Sequence, residues 1–382
     1  MSLCDRLLAA GVLLPATVLV LVLPLAACAS EDDGGRTAAE TIAVTSTDDA
    51  CDVGATELAA GTHHFEVTNK GSDVTEFYVY GDGEKVVAEV ENIAPGLSRD
   101  LLAELPAGRY EAVCKPGMTG DGIRQTLTVT GKSAGLAEDA SLARAGDDYQ
   151  AYVQSETAPF LEQTAAFVTA VKAGDIAGAR ALYPATRIHW ERIEPVAESF
   201  GDLDPLIDGR EGDQEPGQDF TGFHRIEKAL WATGDLSDMG PYADQLLTDV
   251  QQIVERANQV SLEPLQLANG AKALLDEIAT GKITGEEERY SHTDLWDFAG
   301  NLEGSKKAVD TLRPFLGKFD AHLLAEIDER FAATQAELDT HRSGDGWLFY
   351  DQLDQTALHA LSDSITALTV SVSKVAAAVA GR

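Results

Sequence analysis

The hydrophobic residues of this chain follow two different patterns, one in front of the other. From Thr41 to Gly131, apolar and polar residues alternate in short runs such as His63-His64-Phe65-Glu66-Val67. Alternation with a period of two is typical of strands with one buried face. Pairs such as Pro95-Gly96 and Pro116-Gly117 separate the runs and mark turns. Several short strands at this spacing predict a small all-β sandwich over residues 41–131.

Behind the sandwich the hydrophobic spacing becomes helical. Residues 132–145 are mostly small and polar, as expected of a linker, and Gly174-Asp175 reads as the end of one helix and the cap of the next. Apolar residues then recur every three or four positions in long tracts such as 262–279, 299–315 and 357–380. The pattern predicts an all-α bundle over residues 146–382.

The first 28 residues have a third pattern. A short start with Arg6 precedes an almost entirely apolar stretch from Leu7 to Leu25, which is typical of a signal peptide. Leu25-Ala26-Ala27-Cys28 resembles the lipobox of bacterial lipoproteins, in which the cysteine is lipidated; ordinary cleavage beside an unrelated cysteine is the alternative. Residues 29–40 are polar and small, which suits a flexible tether. We therefore expect an exported protein, lipid-anchored to the outer face of the cytoplasmic membrane, in the periplasm or at the cell surface.

Charge and cysteine content narrow the range of partners. The net charge is −34, from 63 acidic and 29 basic residues, which excludes nucleic acid because phosphate binding needs a basic face. An acidic surface concentrates cations, although solubility alone also explains it. Of the 4 cysteines, only Cys51 and Cys114 fall within the predicted domains. An exported pair can form a disulfide, or both sulfurs can bind a metal, and both readings stay open.

Three segments of the predicted bundle carry residues that could bind a metal. Glu191 and Glu194 are three residues apart, so a helix places both carboxylates on one face. His224 and Glu227 have the same spacing beside an apolar stripe, and carboxylate and imidazole ligands on facing helices form known metal sites. The segment Gly285–Asp294 is dense in further ligands. Solvated glutamates, a hydrogen-bonded core histidine and a charged loop are the respective alternatives.

Taken together, these segments resemble the imelysin-like, peptidase-like domain of the EfeO-type iron-uptake lipoproteins. The sandwich resembles the cupredoxin-like domain of the same family through Cys51, Glu76, the segment 91–96 and Cys114. The resemblance extends over nearly the whole chain from the lipobox onward. It implies an N-terminal all-β cupredoxin-like sandwich followed by an all-α imelysin-like helical bundle.

The resemblance also implies a metal site in the bundle. Its ligands would be Glu191, Glu194, Asp208, His224, Glu227 and Glu287. For the sandwich we predict a second metal site, with ligands from Cys51, Glu76, Glu89, Glu91 and Cys114. Carboxylates with an imidazole suit iron, as Fe²⁺ or Fe³⁺, and also manganese or zinc. Copper stays open for the sandwich, although it lacks the second histidine that a blue-copper centre needs.

The function implied by this family is the capture of iron outside the cytoplasm and its delivery towards a membrane permease, beside a haem-dependent peroxidase. A metallopeptidase is the first alternative. The chain contains no His-Glu-x-x-His motif, and Lys228 stands where a second histidine would follow His224, so we expect no enzymatic activity. A lipoprotein that binds acidic polysaccharide through bridging cations is the second alternative.

Overall fold

The computed structural model describes residues 41–132, 135–214 and 217–381. The signal peptide, Cys28 and the tether assigned to residues 29–40 lie outside these ranges. No helix within the described ranges is both long enough and apolar enough to cross a membrane.

The first described region is a two-sheet β-sandwich, which confirms the predicted all-β fold. One sheet has the strand order β2-β1-β4-β7 and the other has the order β3-β9-β8-β5-β6. The pairs β1–β4 and β3–β9 are parallel, whereas the other pairs are antiparallel. The strands are β1 Thr41–Ser46, β2 Cys51–Val53, β3 Glu57–Ala59, β4 Gly61–Asn69, β5 Thr75–Tyr80, β6 Val86–Ile93, β7 Ser98–Leu105, β8 Gly108–Pro116 and β9 Ile123–Thr130.

The sandwich core forms because alternate residues of each strand point inward. On β4, Phe65 and Val67 are fully buried while Glu66 between them is exposed. Phe65 packs on Phe77 of the facing sheet with ring centroids 5.6 Å apart. A disulfide between Cys51 on β2 and Cys114 on β8 joins the two sheets covalently.

The second region is helical, as the spacing of apolar residues predicts. The Asp175 side chain accepts a hydrogen bond from the backbone N–H of Gly178, so the expected helix cap is present. The helices are α1 Ala145–Lys172, α2 Ile176–Ile193, α3 Leu203–Asp208, α4 Gly222–Lys228, α5 Gly240–Ala257, α6 Pro264–Thr280, α7 Asp294–Phe319, α8 Ala321–Asp339, α9 Gln355–Val372 and α10 Val375–Val379. Two short strands, β10 Arg342–Ser343 and β11 Gly346–Trp347, pair between α8 and α9.

Helices α2 and α7 approach each other closely because α7 presents two glycines, one turn apart. A Cβ atom on Gly300 would lie 2.6 Å from the Cβ of Glu191, and one on Gly304 would lie 2.2 Å from the carbonyl oxygen of Arg192. Both distances are shorter than any van der Waals contact. The absence of side chains at these positions therefore brings the polar residues of the two helices within contact distance.

The sandwich packs on the helical region through helix α6. Arg99 of β7 donates to Asp276 at 2.6 Å, and the Asn269 side-chain amide donates to the carbonyl of Leu102 at 2.8 Å. The Leu102 side chain belongs to the hydrophobic core of the helical region. Between Thr130 and Ala145 the described chain contains a short 3-10 turn. The domain limits assigned from the sequence, with a linker over residues 132–145, stay a prediction.

Gly304→Ala should lower the free energy of unfolding by about 1–3 kcal/mol, because the added methyl group overpacks the α2–α7 contact. Chemical denaturation measures the change. Gly317→Ala is the matched control, since Gly317 lies on the exposed face of the same helix with its nearest neighbour 3.8 Å from the added atom. That control should be neutral or slightly stabilising. Equal stabilities of the two variants would contradict the proposed close contact.

Candidate metal centre

All six residues expected at the bundle site meet in one region of the structure. Glu191 lies in the last turn of α2, Glu194 opens the 3-10 segment Glu194–Phe200, and Asp208 ends α3. His224 and Glu227 lie one turn apart on α4, and Glu287 lies in the loop before α7. We call these six residues the helical cluster.

His224 is the centre of the metal-binding geometry. Its side chain is 2% exposed, and Nε2 makes no hydrogen bond of good geometry to a described residue. Nε2 lies 3.4 Å from Asp208 Oδ1 and 3.7 Å from Glu287 Oε1. These three donor atoms are all within 4.8 Å of one another, which is close enough to share one ion. We call Asp208, His224 and Glu287 the His224 site.

Glu227 acts on the other nitrogen of the same ring. Its Oε2 lies 3.1 Å from His224 Nδ1, and its Oε1 accepts the backbone N–H groups of Tyr290 and Ser291 at 2.8 and 2.7 Å. The next residue, His292, has a φ of 58°, so the turn that presents the two amides uses left-handed backbone. A carboxylate on Nδ1 fixes the orientation of the ring, and Nε2 then faces Asp208 and Glu287. Glu288 offers a second grouping with His224 and Glu227.

Glu191 and Glu194 are paired with a lysine. The Nζ of Lys282 lies 2.8 and 2.9 Å from the two carboxylate oxygens of Glu194 and 3.1 Å from Glu191 Oε2. Asn301 on α7 donates to Glu191 Oε2 at 2.8 Å and to Glu194 Oε2 at 2.5 Å. Both glutamates lie in the helical cluster, and the ammonium group of Lys282 lies between their carboxylates. Their role as metal ligands stays a prediction.

A fully buried arginine, Arg187, lies among the remaining carboxylates. Its guanidinium forms ion pairs with Glu191, Asp208 and Glu288. It also lies 3.6 Å from Asp297 and 3.7 Å from Glu287. A guanidinium group has five N–H donors in a rigid plane, so one arginine side chain can donate hydrogen bonds to carboxylates from several elements.

These cations decide which carboxylates are ionised. Burial alone would raise the pKa of Asp208, but Arg187 and then His224 hold it well below its usual range. Burial likewise opposes ionisation of Glu287, but Lys282 and His224 lower its pKa. Burial, followed by repulsion from Glu227, raises the pKa of Glu288 to about 8. Asp208 and Glu287 therefore face His224 Nε2 as ionised carboxylates at neutral pH, and Glu227, whose pKa is also lowered by His224 and by the two backbone amides, faces Nδ1.

The carboxylates expected in the sandwich lie on the outer face of its five-stranded sheet. Tyr78 donates to Glu76 Oε2 at 3.0 Å and to Glu91 Oε1 at 3.1 Å. Carboxylate oxygens of Glu89, Glu91 and Glu198 lie within 4.8 Å of one another. Glu198 belongs to the 3-10 segment that begins at Glu194, so the helical region completes this group. We call Glu89, Glu91 and Glu198 the interdomain carboxylates.

The expectation that Cys51 and Cys114 bind metal is wrong in this structure, because the two sulfurs are bonded to each other. Strand geometry gives the reason. Cys114 pairs with Phe77, and both side chains point into the sandwich core. Glu76 and Tyr78 flank Phe77 and therefore point to the opposite face of the sheet. The disulfide was the alternative that the sequence left open.

The chain is similar to known proteins over most of its length. The cupredoxin-like domain model matches residues 16–129, and the imelysin model matches residues 145–375. A protein named iron uptake system component EfeO from Escherichia coli O157:H7 is 43% identical over 334 residues, which are 86% of this chain and 88% of the relative. Proteins of the same name from Escherichia coli K12 and Shigella flexneri have the same identity and coverage. The chain belongs to the EfeO family of iron-uptake components. The resemblance drawn from its motifs is confirmed.

Three residues of this EfeO family member went unrecognised in the sequence although they shape the two sites. They are Arg187, Glu198 and Lys282. Arg187 precedes Glu191 by four residues, a spacing that predicts an ion pair on one helix face. Glu198 follows Glu194 by four residues, which would have suggested another carboxylate on the same segment. Nothing local marks Lys282, because its partners are distant in sequence.

The interdomain carboxylates should make the stability of the metal-free protein depend on pH. Burial, then repulsion from Glu76, raises the pKa of Glu91 to about 7, against an ordinary value of 4.5. The folded state therefore binds this proton more tightly than the unfolded chain does. The resulting stabilisation is complete below about pH 4.5 and is lost as pH rises towards 7.

We expect Glu91→Gln to reduce the loss of stability with rising pH, because glutamine has the same shape as glutamate and cannot ionise. The difference between the two ends of the pH range should be at most about 3 kcal/mol. Denaturation with chelator present, at several values between pH 4.5 and 8, provides the measurement. Glu66→Gln is the control, since Glu66 is exposed on the other sheet. An unchanged slope in Glu91→Gln would refute the assignment.

Proposed function

We propose that this protein captures iron outside the cytoplasm and delivers it towards a membrane permease. The observation that carries the proposal is the His224 site, in which a buried imidazole nitrogen lies 3.4 and 3.7 Å from oxygens of Asp208 and Glu287 without a hydrogen bond of good geometry. Buried polar atoms are normally hydrogen-bonded, so this arrangement supports a ligand held between the three groups. The names of the relatives support iron as that ligand.

The donor set supports the choice of metal. Two carboxylates and one imidazole suit Fe²⁺ and Fe³⁺, with zinc and manganese as competitors. The interdomain carboxylates supply oxygen alone, without sulfur or imidazole, and so favour hard ions such as Fe³⁺ over copper. We therefore propose iron at both places. The proposed partners are the permease and a haem-dependent peroxidase, which would change the oxidation state of the iron.

We propose that the chain is not an enzyme. The imelysin family is peptidase-like by name, which keeps a metallopeptidase as the alternative. The usual zinc peptidase motif has two histidines one turn apart with a glutamate as base. Here the second position is Lys228, which pairs with Glu211 outside the His224 site. Incubation with casein, with and without chelator, should show no cleavage.

Replacing His224 by Ala should abolish iron binding at the His224 site, because the only nitrogen donor of that site is removed. Glu227→Gln should weaken binding by about 10–100-fold, since Glu227 acts through the ring. Trp190 donates to Asp208 Oδ2 at 3.0 Å, so quenching of its fluorescence reports iron at this site. Titration with Fe²⁺ under anaerobic conditions gives the affinities.

The matched control is His359→Ala, which removes an exposed histidine on α9. This variant should bind iron as the unmodified chain does. Unchanged stoichiometry and affinity in His224→Ala, with the fold intact by circular dichroism, would exclude the His224 site as the place of binding.

We further propose that Cys28 carries the lipid anchor. Lipoproteins carry several acyl chains, and two or more chains give firm retention where one gives only marginal binding. Cys28→Ser should therefore release the protein from the membrane fraction into the soluble extract. Immunoblots of the two fractions make the comparison. Firm membrane retention of the serine variant would show that another element anchors the chain.

A further inference from the structure

Asn301 contacts both glutamates of the helical cluster from the neighbouring helix. It lies on α7 with 0% exposure, and its side-chain nitrogen donates to Glu191 Oε2 at 2.8 Å and to Glu194 Oε2 at 2.5 Å. The same nitrogen donates to the backbone carbonyl of Glu191 at 3.1 Å. One amide group therefore contacts two carboxylates and the backbone that carries one of them.

The contact with the backbone follows from the position of a proline. Within an α-helix, the carbonyl of Glu191 would accept the N–H of the residue four positions later. That residue is Pro195, which has no N–H and lies in the 3-10 segment where α2 ends. The Asn301 amide supplies a donor to this carbonyl from α7, so it holds the last turn of α2 at Glu191.

The close approach of the two helices brings the amide to the carboxylates. Gly300 precedes Asn301, and a Cβ atom on Gly300 would lie 2.6 Å from Glu191 Cβ and 3.0 Å from the carbonyl oxygen of Ile188. A larger residue at position 300 would push α7 away from α2. Because the asparagine side chain is short and fully buried, its amide has little freedom to leave the two glutamates.

A neutral donor differs from the two buried cations in its effect on metal binding. Arg187 and Lys282 also contact Glu191, but each carries a positive charge and therefore repels an arriving metal ion. The Asn301 amide has no net charge. An ionised carboxylate offers about four lone-pair positions, so Glu191 Oε2 and Glu194 Oε2 can each keep the hydrogen bond to Asn301 and also coordinate a metal ion.

We propose that Asn301 is a positioning residue that orients the carboxylates of Glu191 and Glu194 for metal binding. The inference rests on the proposed function, with both glutamates as ligands of the ion in the helical cluster. Without Asn301, each glutamate could turn about its own side-chain bonds, and the ion would have to order two flexible ligands when it binds. Residues that orient the ligands of a metal ion typically contribute about 10–100-fold to its affinity.

The test is an anaerobic titration of the purified protein with Fe²⁺ after treatment with chelator, with Trp190 fluorescence as the readout. Asn301→Ala should weaken binding in the helical cluster by about 10–100-fold. The matched control is Asn269→Ala, because the Asn269 amide donates to the carbonyl of Leu102 outside the helical cluster. That variant should bind Fe²⁺ as the unmodified chain does.

A double-mutant cycle separates positioning from a general effect on the fold. Glu194→Asp keeps the negative charge but shortens the side chain, which withdraws its carboxylate from Asn301. Asn301→Ala should therefore weaken binding by a smaller factor in Glu194→Asp than in the unmodified chain. Equal factors in the two backgrounds would show that Asn301 acts through the fold, and they would overturn the inference.

An unchanged affinity in folded Asn301→Ala would also overturn the inference. If Asn301→Ala does not fold, Asn301→Ser takes its place and should weaken binding by a smaller factor, because serine keeps one donor. If neither variant folds, Asn301 is a structural residue and the inference is wrong. Failure of the proposed function gives a different result, because Fe²⁺ binding would then be unchanged in Glu194→Asp and in His224→Ala as well.

Discussion

The burial of two full positive charges is the constraint on which the helical region depends. Arg187 and Lys282 have no exposed surface, and a charge removed from water is stable only when oppositely charged groups surround it. Their carboxylate partners come from α2, α3, the loop before α7 and α7 itself. Removing one partner of such a pair typically costs about 3–5 kcal/mol. The ion pairs around the candidate metal site therefore also fix the arrangement of these elements.

The ion pairs can form only if the helices that carry the charged residues approach one another closely, and the backbone allows this. Glu191 and Asn301 are in hydrogen-bond contact only because α7 lies against α2 through Gly300 and Gly304. Asp208 is carried by a short helix inside a long connection rather than by one of the main helices. The site thus consists of a closely packed pair of helices and of connecting segments whose carboxylates form ion pairs with Arg187.

The sequence predicted what is encoded locally. Alternation gave the strands, helical spacing gave the bundle, and the i, i+3 spacing of His224 and Glu227 placed both on one face. It could not show that Lys282 lies between Glu191 and Glu194, because that contact depends on packing between distant segments. The two cysteines illustrate a different limit. Cys114 could lie on the face of the sheet that carries Glu76 or on the face that packs into the core. Which of the two it is depends on how the strand pairs with its neighbours, and burial of the sandwich core determines that pairing.

The helical cluster and the interdomain carboxylates differ in the charges that surround their carboxylates. In the helical cluster, Arg187 and Lys282 offset part of the carboxylate charge, so a metal ion bound through His224 Nε2 would replace a proton there. At the interdomain carboxylates, burial and mutual repulsion raise the pKa of Glu89 and of Glu198, and Lys115 is the cation that offsets it for Glu89. A metal ion there would replace repulsion between the sandwich and the segment Glu194–Phe200 with attraction. Glu194 begins that segment and contacts Lys282, so one short stretch of chain carries residues of both the interdomain carboxylates and the helical cluster.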